Sequence, residues 1–353
     1  MTTAFVSTSY LGTALLPTIA QTQSSLANLE VESSTGQYAN LGLQLGDQSG
    51  YELSLKNQND LLQTLTSGNS IVTTNLTTAQ DTLNSILTGA QNAASSLTAW
   101  TSGQANSGDT LQNLGVNALQ SLIAATNTTS NGQYVFGGLN SSVAPMADYF
   151  SSTTSAAKTA IDTAFQTTFG CLPTDAAASS ISAGDMQSFL TGPFAAQFSG
   201  AAWTTNWSSA SSTNTSNQIA PGETIDTSTN ANQPGFQQLA EGYAMLSEFG
   251  GSQLSSAAQQ AVASTATSLI TQGLSSITAT EAGVGASLQR VTDANNSMSS
   301  QMTILQTQIG NLDNVDSATV ATTLNTLQTQ LQTAYELTAQ LQKLSLAQYL
   351  PVT

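Results

Sequence analysis

The chain has 353 residues, of which 39% are apolar and only 7% charged, against roughly 25% charged in an ordinary soluble domain. Its formal net charge is −16, and Lys56, Lys158, Arg290 and Lys343 are its only basic side chains. That apolar share is enough for a core, no stretch approaches the ~20 apolar residues of a spanning helix, and the acidic balance repels nucleic acid and anionic membrane surfaces as partners. There is no His, and Cys171 stands alone. An internal disulfide, a His-activated thiol and a His/Cys zinc site are therefore excluded, and Cys171 reads as a small buried apolar residue. Asp162, Asp175 and Asp185 show no paired spacing, and Gly283-Val-Gly285 lacks the strand–turn–helix context of a phosphate loop. No catalytic, cofactor-binding or metal-binding residue is assigned, and no cofactor is expected. The length allows two or three domains.

From Phe5 to Leu29 the sequence is weakly periodic, with Leu15, Ile19, Leu26 and Leu29 on one helical face. No Lys or Arg precedes Lys56, and Pro17 interrupts the early apolar run, so no cleaved secretory leader is expected. A turn-rich break follows at 32–36, then a segment at 41–47 whose two glycines predict a loop or short irregular piece. Leu65, Val72, Leu76, Ala79, Leu83, Ile86, Ala90 and Leu97 recur at coiled-coil spacing and predict a long helix over about 51–97. A second helix is predicted over about 110–126. Asn131-Gly132 before Gln-Tyr-Val-Phe predicts a hairpin or edge strand.

Between about 140 and 233 the composition shifts. Six of the ten Phe and two of the three Trp lie there among Gly, Pro and Ser/Thr/Asn clusters. This predicts a separate compact domain of mixed α and β structure, with Trp203 to Asn232 as loop or short strands. Helices resume over about 253–280 and 286–312, and Asn311-Leu-Asp-Asn-Val-Asp316 interrupts them. Asp316 is placed to cap the last helix. That helix carries Val320, Leu324, Leu327, Leu331, Ala334, Leu337, Leu341 and Leu344 as a second narrow stripe.

The two stripes predict chain ends that fold back on each other. The fold class is mainly α: a long antiparallel helical, coiled-coil rod formed by both ends, with an inserted mixed α+β central domain. The expected divisions are 1–50 (first terminal segment), 51–139 and 236–312 (two halves of the rod), 140–235 (outer domain) and 313–353 (last helix). The surfaces of the end helices are Thr, Gln, Ser and Asn, and Glu–Lys pairs are almost absent. Such helices are marginal alone and need a partner for their seams. The design suits assembly rather than catalysis.

An ordered set of short motifs resembles the bacterial flagellin superfamily over nearly the whole chain. It comprises Glu30-Val-Glu-Ser-Ser-Thr-Gly36, Asn131-Gly-Gln-Tyr-Val-Phe-Gly-Gly138 with Pro145 and Asp148-Tyr-Phe150, Asn206-Trp-Ser-Ser-Ala210, Asp226-Thr-Ser-Thr-Asn-Ala231, Gly285-Ala-Ser-Leu-Gln-Arg-Val291, Val315-Asp316 and Leu344-Ser-Leu-Ala-Gln-Tyr-Leu350. The Tyr134-Val-Phe-Gly-Gly138 run and the closing Leu346-Ala-Gln-Tyr-Leu350 are most similar to the hook-filament junction proteins (hook-associated protein 3, FlgL type) in their alphaproteobacterial form. The resemblance implies export through the flagellar type III channel without a cleaved signal, in the company of an export chaperone, to the extracellular flagellum. It implies self-association in a ring between the preceding hook-associated protein and flagellin. Leu26, Leu29, Leu324, Leu327, Leu331, Leu337, Leu341 and Leu344 would then be the subunit interface, covered by other copies. The scarcity of charge on the end helices departs from the family. Flagellin itself is the alternative within the superfamily. An adhesin or phage-tail fibre is the alternative outside it, and it would bring a fixed repeat that this chain lacks.

Overall fold

The computed structural model describes residues 8–103, 108–151, 155–251 and 253–349. Its elements run α1 (Thr8–Thr35), α2 (Leu41–Leu45), α3 (Ser49–Thr101), α4 (Gly108–Thr126), β1 (Thr129–Ser130), β2 (Gln133–Tyr134), α5 (Ala156–Phe169), α6 (Ala183–Phe189), α7 (Gly200–Asn206), β3 (Ser216–Ala220), β4 (Glu223–Asp226), α8 (Pro234–Phe249), α9 (Ser256–Asp313) and α10 (Ser317–Tyr349). The fold is mainly α, as the periodicity predicts. The described strands make two small antiparallel hairpins, β1–β2 and β3–β4. The chain divides into two compact units: a terminal unit of residues 1–63 and 299–353, and a central unit of residues 64–298.

In the central unit, the turn joining β1 to β2 places Asn131 at φ 52° and Gly132 at φ 78°. Both values are positive, as the mirror-image hairpin turn demands, which is why Asn-Gly occupies it. Beyond it the aromatic residues gather. Phe249, fully buried at the end of α8, has the rings of Phe165, Phe194 and Phe189 at centroid distances of 5.4, 5.5 and 5.8 Å. Trp207 stacks on Tyr149 at 5.1 Å and meets Phe198 at 4.8 Å. Helix α8 is covered nearly all round. On one side a Cβ at Gly115 of α4 would come within 2.3 Å of the Ser247 nitrogen. On the other a Cβ at Gly273 of α9 would come within 2.7 Å of the Leu239 side chain. Glycine at both positions lets the helices approach at backbone distance.

Four local expectations are corrected. The helices expected at 253–280 and 286–312 are one, α9, unbroken through Gly283 and Gly285. Val284 and Val291 are buried, and their packing outweighs the ~1 kcal/mol by which each helical glycine is disfavoured. The 41–47 segment contains the short helix α2, and Trp203, expected in a loop or strand, sits on α7. Cys171, expected to be buried, is only partly covered where it packs against the core.

Candidate assembly interface

The terminal unit is built on α1 and α10, which pack against each other. Leu15, Ile19, Thr22, Leu26 and Leu29 turn the covered side of α1 inward at alternating steps of four and three. On α10 the covered positions are Val320, Leu324, Leu327, Leu331, Ala334, Thr338 and Leu341, with the same rhythm. This is coiled-coil spacing. Six of the eight expected interface leucines, Leu26, Leu29, Leu324, Leu327, Leu331 and Leu341, are therefore half-buried on the facing sides of these two helices. Leu337 is not among them: it is 47% exposed, because the step from Ala334 falls on Thr338. The side chain of Leu344 lies outside the described residues. Gln23 Nε2 donates to Tyr335 Oη at 2.6 Å across the pair.

The backbone pins the base of the pair. Gly36, at φ 72°, ends α1 and accepts from the Val315 nitrogen at 2.9 Å, and Tyr38 N donates to the Asp313 carbonyl at 3.0 Å. Asp316 caps α10, its Oδ1 accepting from Ala318 N at 3.0 Å and its Oδ2 from Thr319 Oγ1 at 3.0 Å. These bonds, from Thr319 first, hold its carboxyl below the ordinary carboxylate value. Behind the pin, Lys56 Nζ reaches Asp313 Oδ2 at 2.7 Å and also pairs with Glu52 one turn back. The Asp313 side chain is 2% exposed. Hydrogen bonds to Asp313 and then Glu52 raise the Lys56 pKa above its ordinary value. This triad was missed in the sequence. Its only local signal is the Glu52–Lys56 spacing of four, in a chain where such pairs are scarce.

The first stripe, Leu65 to Leu97, was expected to meet the last helix. Instead it lies in the central unit, largely buried against other partners. Asn69 bonds Asn295 of α9 at 2.7 Å, and Gln80 of α3 sits beside Gly285 of α9. The stripe of α3 faces the part of α9 that carries Val284, Val291 and Met298, buried at heptad spacing, whereas Ile270 and Ile277 earlier on α9 pack against Gly242 and Gly235 of α8. Reading α9 as two helices broken at its glycines hid that partner.

Among the described residues, the terminal unit buries only Ile19, Leu55, Leu62 and Val320 as apolar side chains. It exposes more: Leu16, Val31, Leu43, Tyr51, Leu53, Leu61, Ile304, Tyr335 and Leu337. Leu43 reaches 84% exposure. A folded unit with more large apolar side chains outside than inside has the chemistry of an association surface.

The sequence of these same helices decides the family. The description of the bacterial flagellin N-terminal helical region matches residues 6–141, and that of the C-terminal helical region matches residues 267–350. The chain belongs to the bacterial flagellin family. Both ends of this flagellin-family protein carry the match, and residues 142–266 lie outside it. It is a structural component of the flagellum. Among solved structures, its fold resembles that of a putative flagellar hook-associated protein from Vibrio parahaemolyticus, with 11% identity, a TM-score of 0.51, and coverage of 75% of this chain and 97% of that one. FlgL of Bacillus cereus is also similar, with 16% identity, a TM-score of 0.42, and coverage of 75% and 98%. No curated protein sequence matches the chain.

The tightest titratable cluster outside the interface ties α5 to α8. Lys158 Nζ bonds Glu248 Oε2 at 2.6 Å, Tyr149 Oη donates to Glu248 Oε1 at 2.8 Å, and Asp162 stands 3.6 Å from Lys158. Burial pushes the Tyr149 hydroxyl far up. Burial pulls Lys158 down, but Glu248 and Asp162 outweigh it and hold the pKa above the ordinary value. Each group already answers another, which is the arrangement of a structural tie.

Proposed function

We propose that this flagellin-family protein is a hook-filament junction protein, the adaptor between hook and flagellin filament. The observation that carries the reading is the terminal unit: paired end helices, pinned at their base, whose seam leucines are only half-covered and which leave Leu16, Val31, Tyr335 and Leu337 exposed. Such a subunit is completed by its neighbours. The Tyr134-Val-Phe-Gly-Gly138 run and the closing Leu346-Ala-Gln-Tyr-Leu350 support the junction role over that of bulk filament subunit. The hook-associated description of the Vibrio parahaemolyticus protein, whose fold it resembles, supports it further.

In this reading the half-buried leucines, with Leu337 and Leu344, form the subunit contacts of a ring. The preceding hook-associated protein lies on one side and flagellin on the other. The chain leaves by the flagellar type III route without a cleaved signal, held by an export chaperone beforehand. It does no catalysis. The test has two parts. Deletion leaves hooks intact and abolishes filaments. Purified chain, seeded on hook ends that carry the preceding junction protein, adds a short cap from which flagellin elongates. Long filaments grown from this chain alone, by contacts repeating along an open helix, would make it a flagellin instead.

A further inference from the structure

Asn69 occupies a position that the seam of α3 otherwise gives to apolar side chains. Leu55, Leu62, Leu76, Leu83, Ala90 and Leu97 lie at multiples of seven residues from it, and all are buried. Asn69 is itself 1% exposed. Its side-chain nitrogen donates twice, to Asn295 Oδ1 on α9 at 2.7 Å and to the Ile219 carbonyl on β3 at 2.8 Å. Both of its N–H hydrogens are therefore used, each toward a different element. The β3–β4 hairpin holds α9 at a second point, where Arg290 Nη2 meets Glu223 Oε1 at 2.8 Å.

A buried amide in an apolar seam is favourable only where its partners meet it, and elsewhere it is left unsatisfied. The antiparallel register that sets Asn69 beside Asn295 also sets Gln80 beside Gly285. A slip of one heptad would put Asn69 against Leu288 or Met302, which offer no oxygen acceptor in their side chains. The seam around it is apolar at repeating spacing on both helices, with Val72, Leu76 and Leu83 on α3 and Val284, Val291 and Met298 on α9. Such a seam discriminates weakly between registers by shape alone.

We propose that Asn69 is the register key of the central unit. It fixes α3 against α9 and transmits that register, through the Ile219 carbonyl, to the β3–β4 hairpin. Only a correctly paired subunit then presents the hairpin in place. The inference concerns the fold of one chain and stands whether the protein is junction protein or flagellin.

The test uses the full chain with Cys171→Ser and pairs of introduced cysteines. Gln80→Cys with Gly285→Cys reports the native register. Gln80→Cys with Thr278→Cys, or with Thr292→Cys, reports a slip of seven residues either way. With Asn69 present, only the native pair cross-links. Asn69→Leu is expected to leave the melting temperature unchanged or higher, allow a slipped pair to cross-link, and speed amide exchange at Gln218 and Ile225 by roughly ten-fold. A residue that merely filled space would lower the melting temperature without moving the cross-link. Asn295→Leu removes the acceptor from the other side and is expected to give the same slip and faster exchange. It decides the matter if Asn69→Leu does not fold. Cross-linking confined to the native pair, with hairpin exchange unchanged in the folded variant, would overturn the proposal.

Discussion

The two units of this chain solve burial in opposite ways. The central unit closes on itself: Phe165, Phe189, Phe194, Phe198, Trp203, Trp207 and Phe249 are all buried together, and α8 is surrounded. The terminal unit buries little: α1 and α10 close along one narrow seam, in which Val320 is the best-covered residue on α10, and α3 adds Leu55 and Leu62. Its helices are long and their polar faces are Thr, Gln and Asn, which support helix weakly. The difference teaches where stability and where association reside. The first unit holds its fold by itself, whereas the second has surface to offer another chain.

The largest effect should come from breaking the interface while sparing the core. Leu331→Asp places a carboxylate on the seam of α10, and in the proposed ring that charge would be repeated in every subunit. Assembly on hook ends should be abolished, flagellin should escape as monomer into the medium, and cells should be non-motile. Near-ultraviolet circular dichroism from the central aromatics should be unchanged. Filaments of normal length in that strain would remove α10 from the interface.

The mirror experiment strikes the other unit. Phe249→Ala empties the point where three further rings converge and should cost about 3–5 kcal/mol of stability, read by denaturant unfolding. A loss below about 1 kcal/mol would mean that the aromatic cluster does not carry the central fold. Lys56→Met tests the base of the terminal pair. It leaves Asp313 buried without its cation, and because Lys56 is itself partly exposed the loss should be about 1–3 kcal/mol. The sign to look for is faster exchange at the Tyr38 and Val315 amides, with the central unit unaffected.

The smallest effect is a pH dependence confined to the central unit. Burial pushes the Glu241 carboxyl up to about 7 from an ordinary 4.5. In the folded protein it keeps its proton where the unfolded chain has lost it. Stability therefore falls as pH rises from about 4.5 to about 7, and the loss persists above that. Glu241→Gln should recover about 2 kcal/mol at pH 8 and nothing at pH 4. Equal melting temperatures for the two proteins at pH 8 would show that the carboxyl is solvated in the fold.

Much of the candidate interface was legible because the period of a helix seam is a local property. Ile19, Leu26 and Leu29, or Val320, Leu324, Leu327 and Leu331, announce their face by spacing alone. Leu337 shows the limit of that reading. It is apolar and lies three residues from Ala334, but the seam takes the fourth, Thr338, and only the partner's position selects between them. The Lys56–Asp313 contact was illegible for another reason. Its members are 257 positions apart in the sequence, and neither has a pattern that singles it out.

The sequence by itself determined where the long helices run and most of the faces they bury, the positive-φ turn at Asn131-Gly132, the Asp316 cap, and the absence of any histidine-based chemistry. These follow from side-chain spacing and from backbone preferences that act within a few residues. Only the tertiary structure decided which seam meets which. It gave α10 to α1, and α3 to α9, because matching depends on all the seams at once. It also kept α9 helical through Gly283 and Gly285, where burial of Val284 and Val291 outweighs local propensity. Partner choice is a comparison of whole surfaces, and no single stretch of sequence contains the other side of that comparison.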